Sequence, residues 1–112
     1  MTLRDPSDRT PLERVWECSS TSQIYTAAFE VHEAAMRHGL LPDEATTLSL
    51  SLAELATQAV KQGAGMARVE FEEDGWSLEV GPVNLSALEA RLPMPLTSLR
   101  VSGQNAVARY VR

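Results

Sequence analysis

The chain is short of several things, and each shortage excludes a class of protein. Its 112 residues contain one cysteine, Cys18. A lone cysteine cannot build an internal disulfide framework, and no Cys/His cluster with metal-ligand spacing accompanies it. The reducing cytoplasm is therefore the expected compartment. No stretch approaches the roughly 20 apolar residues of a membrane-spanning helix, and the polar opening MTLRDPSDRT has no signal-peptide pattern. Basic charge is also scarce: ten Lys and Arg stand against fifteen Asp and Glu, for a formal net charge of −5. The ten are scattered, and phosphate binding needs a basic face, so no nucleic-acid partner is expected. Glycine is absent from residues 84–101. No internal repeat or low-complexity segment stands out.

What remains is the composition of one globular domain, 44% hydrophobic and 22% charged, long enough for a single core. Residues 1–11, polar and holding Pro6 and Pro11, read as a flexible leader, which leaves 12–112 as the domain. Arg14–Cys18 alternates weakly, as a first strand would. The serines and threonine of 19–22 offer N-caps for a helix whose Ile24, Ala27, Ala28, Val31, Ala35 and Met36 recur at helical spacing, with Gly39 as its stop. A second helix starts near Leu41-Pro42-Asp43-Glu44, with Asp43 as expected cap, and runs to about Gln62. Met66–Glu72 alternates, Asp74-Gly75 signals a hairpin turn, and Trp76–Val80 returns. Leu85–Leu92 reads as a short helix capped by Asn84, and Ser102–Tyr110 as a last helix capped by Ser102, or as a strand at its end. The expected fold is α+β: a two-layer sandwich with helices on one face of a mostly antiparallel sheet.

The second helix carries the chemistry. Thr47, Ser51, Glu54, Gln58 and Lys61 fall at steps of four, three, four and three and share one face. Leu48, Leu52, Leu55 and Ala59 form an apolar stripe beside it. A helix apolar over most of its circumference is buried on several sides. Its carboxylate, amide and ammonium must then satisfy one another or line a site, because burying them unpaired is costly.

This element order, with this helix, resembles the Bergerat-fold ATPases (the gyrase, histidine-kinase and MutL superfamily), and in particular the anti-sigma-factor serine/threonine kinases of partner-switching pathways. The resemblance covers about residues 14–83, and 99–110 more loosely. In that family the second helix carries Glu-x-x-x-Asn-x-x-Lys/His/Arg; here the same spacing reads Glu54-Leu55-Ala56-Thr57-Gln58-Ala59-Val60-Lys61. The resemblance implies Glu54 as the catalytic carboxylate, Gln58 at the position that binds the nucleotide's Mg2+, and Lys61 near the phosphates of ATP. It further implies that Glu79 and Gly81, in Glu79-Val80-Gly81-Pro82-Val83, stand where the family's Asp-x-Gly-x-Gly holds adenine.

Three departures accompany it. Gln58 is one methylene longer than Asn, at a ligand to a metal that demands near-octahedral geometry. Glu79 is longer than Asp, and Val83 puts a Cβ where the family has glycine. The lid that cradles phosphates at a helix N-terminus has no glycine in 84–101. The resulting expectation is a vestigial nucleotide site without bound ATP or Mg2+. The domain would act as a regulatory protein-binding module in bacterial signalling, with an antagonist protein, a sigma factor or a metal-dependent phosphatase as partner and a homodimer compatible with the pattern. One alternative is an active kinase using Glu54 as base and Gln58 as metal ligand; another is an unrelated structural or oligomerisation domain.

Other residues have plainer readings. His32 and His38 lack a third ligand and read as surface residues. Cys18 reads as a small buried hydrophobe. Glu72-Glu73-Asp74 reads as a solvated rim, and Trp16 and Trp76 as core anchors.

Overall fold

The computed structural model describes residues 12–61, 65–83 and 98–111. In chain order the elements are β1 (Leu12–Glu17), α1 (Thr21–Arg37), α2 (Pro42–Val60), β2 (Met66–Glu72), β3 (Gly75–Gly81), β4 (Ser98–Ser102) and β5 (Asn105–Val111). The strands form one sheet in the order β1-β2-β3-β5-β4, and every neighbouring pair is antiparallel. Both helices lie on one face of it. The fold is thus the expected α+β sandwich. The leader at 1–11 and the short helix at 85–92 lie outside the described residues.

Local chemistry sets the helix ends. Ser20 Oγ accepts from the Gln23 N–H at 3.3 Å, while Gln23 Oε1 accepts from the Ser19 N–H at 2.6 Å, so two orphan donors at the start of α1 are satisfied. At its other end the Leu40 N–H donates to the Ala35 carbonyl at 3.0 Å and Gly39 takes φ +98°, the left-handed cap that glycine adopts without strain. The cap of α2 is not Asp43. Leu41 precedes the first helical residue, Pro42, and its N–H donates to Glu44 Oε1 at 2.8 Å. Proline at the first position sets this start, since its missing N–H costs nothing there.

The core lies between the layers. Leu48, Leu52, Leu55 and Ala59 of α2 and Ile24, Ala27, Val31 and Ala35 of α1 meet Ala67, Val69, Phe71, Trp76, Leu78 and Val80 of the central hairpin. Trp76 is wholly buried, and its indole N–H finds no acceptor among the described residues. Trp16 is only half-buried, with the Arg14 guanidinium 5.9 Å from its ring centre. Cys18 is buried, and its N–H donates to the Gly65 carbonyl at 2.7 Å, fastening the end of β1 to the start of β2.

Two turn assignments change. The β2–β3 loop is Glu73-Asp74, because Glu72 pairs with Gly75 and no residue there has positive φ. Gly75 serves the sheet instead: a Cβ on it would run into the backbone carbonyl of Tyr110 on β5. Residues 102–110 are not a helix. Gly103 takes φ +63° in a tight turn, and Ser102 ends β4 while Asn105 opens β5. Ala106 and Ala108 are buried on the helix-facing side, so pairing with β3 overrides their helical propensity.

Candidate functional site

Alternation along the strands divides the sheet into two faces. Ala67, Val69, Phe71, Trp76, Leu78 and Val80 point to the helices, so Met66, Arg68, Glu70, Ser77, Glu79 and Gly81 belong to the outer face. That parity decides where the expected site residues lie.

Glu54, Gln58 and Lys61 are brought together on one margin of α2. Its apolar side faces the core, and Ser49 Oγ donates to the Ala28 carbonyl at 2.8 Å on the margin toward α1. Helical phase puts the polar residues on the opposite margin, toward the β5–β4 half of the sheet. Thr47 and Ser51 begin this stripe buried, and their hydroxyls donate back to the carbonyls of Asp43 at 2.9 Å and Thr47 at 2.7 Å. They need no ligand. Glu54 and Gln58 are half-exposed and Lys61 is exposed at the helix end. Among the described residues none of these three side chains makes a hydrogen bond or ion pair, so the mutual pairing that the spacing permits is not used.

Glu79 and Gly81 lie elsewhere. Glu79 projects from the outer face, with the sheet between it and α2. Its Oε1 accepts from Arg68 Nη2 at 2.8 Å and its Oε2 from Asn105 Nδ2 at 2.8 Å. The Asn105 hydrogen bond, with the charge and hydrogen bond of Arg68 and the charge of Arg100, holds the carboxyl below its ordinary value despite partial burial. Such a carboxylate is a poor proton acceptor. Gly81 leaves room for Asn105: a Cβ there would strike the Asn105 amide. These residues, with Val15 and Met66, line a shallow groove of about 290 Å³. Val83 is buried with the core residues, and its N–H donates to the Gln104 carbonyl at 2.8 Å. The five expected residues therefore form two groups on opposite faces of the sheet.

Arg68 and Asn105 were not foreseen as partners of Glu79. Arg68 was within reach: a two-residue turn at Glu73-Asp74 places it directly across from Glu79. Asn105 was not, since it arrives on a strand whose sequence reads equally as helix. A second outer-face pair, Arg109 Nη2 with Glu72 Oε2 at 2.9 Å, fixes one of the rim carboxylates. His32 is half-buried, and His38 is exposed with its ring centre 5.1 Å from that of Phe71. Among the described residues no group of three or more His, Cys, Asp or Glu is placed to hold a metal ion. Burial, reinforced by the Glu17 charge, pushes the Cys18 thiol up, which keeps it protonated. No helix among the described residues is long and apolar enough to cross a membrane.

No protein-family model matches the chain, and no curated protein matches it.

Proposed function

We propose that this domain is a regulatory protein-binding module of the anti-sigma-kinase kind, docking a protein partner in the cytoplasm without turning over nucleotide. The observation that supports it is the separation just described. The acid, amide and ammonium of α2 stand on one side of the sheet, while Glu79, the carboxylate that would read adenine, stands on the other and is engaged by Arg68 and Asn105. The Glu54, Gln58 and Lys61 spacing, which resembles that of the anti-sigma kinases, supports a kinship with them. The partner classes implied by that kinship are a small antagonist protein, a sigma factor or a metal-dependent phosphatase. Glu54 and Gln58 are half-exposed and unpaired among the described residues, which favours the active kinase as second reading.

Calorimetric titration with Mg2+–ATP separates the two. The proposal expects no saturable heat at millimolar nucleotide and no transfer of labelled γ-phosphate to protein. Saturable binding that is lost in Glu54→Gln and Gln58→Ala would overturn it in favour of the kinase.

A further inference from the structure

The outer surface of the helix layer exposes large apolar side chains in an ordered way. Tyr25, Phe29 and Met36 of α1 follow one another at four and seven residues, so they share a stripe well away from the buried Ile24, Ala27, Val31 and Ala35. Tyr25 is 70% and Phe29 64% exposed. On α2, Leu50 is 52% exposed at the outer crest. The Ser49–Ala28 hydrogen bond ties the two helices together one residue away from both Phe29 and Leu50. Between these crests lie the small residues Ala28, Ser49 and Ala53, with the larger His32 one turn on from Ala28, all half-buried. A shallow valley with apolar walls and a floor that is small except at His32 has the form that accepts an amphipathic helix.

Charge selects the occupant. Two of the four wall residues are followed by a carboxylate one turn on, Glu33 after Phe29 and Glu54 after Leu50 on the side of α2 away from α1, and Asp43 precedes Leu50 on the same crest. Residues 19–61 hold five carboxylates and two cations, Arg37 and Lys61. Arg37 lies 3.6 Å from Glu33 across an exposed pair, and Lys61 sits at the far end of α2. A second copy of this face would set acid against acid. A segment with apolar residues on one side and Lys or Arg flanking them would find both its requirements met.

We infer that the valley between α1 and α2, walled by Tyr25, Phe29, Met36 and Leu50, docks a basic amphipathic helix of a partner protein. This rests on the protein-binding reading above but not on kinship with any kinase.

The probe is a synthetic helix with leucines at i, i+3, i+4 and i+7 and lysines elsewhere, compared with the same peptide carrying glutamates for lysines. Fluorescence anisotropy with the full chain should show saturable one-to-one binding of the lysine peptide and at least about tenfold weaker binding of the glutamate peptide. Phe29→Glu is the deciding variant. It adds an attractive charge, yet it should weaken the lysine peptide by roughly tenfold because an apolar anchor is lost. Phe29→Ser should act in the same direction, with an unchanged circular-dichroism spectrum to show the fold intact. Met66→Glu, on the outer sheet face, should leave affinity within about twofold, since it adds the same charge to a different surface.

The inference is overturned if no saturable binding occurs, if the two peptides bind alike, or if Phe29→Glu binds the lysine peptide as tightly as the native chain. It also falls if sedimentation shows a dimer that Phe29→Glu dissolves, which would make a second copy the occupant. Loss of binding in Met66→Glu alone would move the partner to the sheet and leave the protein-binding reading standing. Binding of Mg2+–ATP would sink that reading and leave this one untouched.

Discussion

The two broad surfaces of this domain treat charge in opposite ways. On the outer face of the sheet, Arg68 meets Glu79, Asn105 caps the same carboxylate, and Arg109 meets Glu72, each at 2.8 or 2.9 Å. Even Val107, which points to this face rather than into the core, is only 6% exposed, between Glu79 and Arg100 across the neighbouring strands. On the helix layer the carboxylates Asp43 and Glu54 make no ion pair among the described residues, and aromatic rings stand in water. Cross-strand pairs are the unit by which an exposed antiparallel face is stabilised. The β2, β3 and β5 part of the sheet has spent its charges on itself, leaving Glu13 opposite Glu70 at the β1 edge. The helix layer pairs Glu33 with Arg37 and leaves Asp43 and Glu54 available. That contrast teaches where to look for a partner.

Substitutions can break the contrast or sharpen it, beginning with the one that removes both surfaces together. Leu52→Ala empties a wholly buried position between the layers and should cost about 3 kcal/mol by urea denaturation, with both faces lost in one transition. Gly75→Ala attacks the sheet alone by driving a Cβ into the β5 backbone. It should cost about 2 kcal/mol, with thermal unfolding lowered accordingly.

Glu79→Gln leaves shape intact and removes the charge. Its folded pKa is depressed, so its contribution is present at neutral pH and is lost as pH falls below about 4.3, the ordinary glutamate value, through the folded pKa. The variant should lose about 1 kcal/mol at pH 7. Its stability should also fall less steeply than that of the native chain under acid, as urea midpoints at a series of pH values would show. Phe29→Ser should shift stability by no more than about 0.5 kcal/mol, because an exposed ring contributes little to folding. A larger loss would mean that the ring supports the fold and is not held ready for a partner.

Much of the architecture was legible because its signals are local. The 3.6-residue period of α1, the Pro42 start of α2 and the alternation of Met66–Glu72 each stand in a few consecutive residues. The second hairpin was not legible, since Ala106, Val107, Ala108 and Arg109 carry no decisive preference and become a strand by pairing with β3. The α2 triplet was found by spacing alone, and it does share one margin. Glu79 teaches the opposite lesson. The family resemblance suggested a companion for Glu54, but the run Trp76, Leu78, Val80 already required that Glu79 face away. Counting parity along the strand would have separated the two groups without any coordinates. The helix-layer valley was hidden because Tyr25 and Phe29 fall outside the periodic stripe that marks α1, while Met36, read as part of that stripe, is exposed.

Cys18 has one more consequence. It is the sole thiol of the chain, shut in the core and biased toward its protonated, unreactive form. Reagents for thiolates can reach it only when the core around the end of β1 opens. The rate at which such a reagent labels the native protein is therefore a clock for that opening. The domain carries, at one natural position, its own timer for how often the core beside its first strand opens.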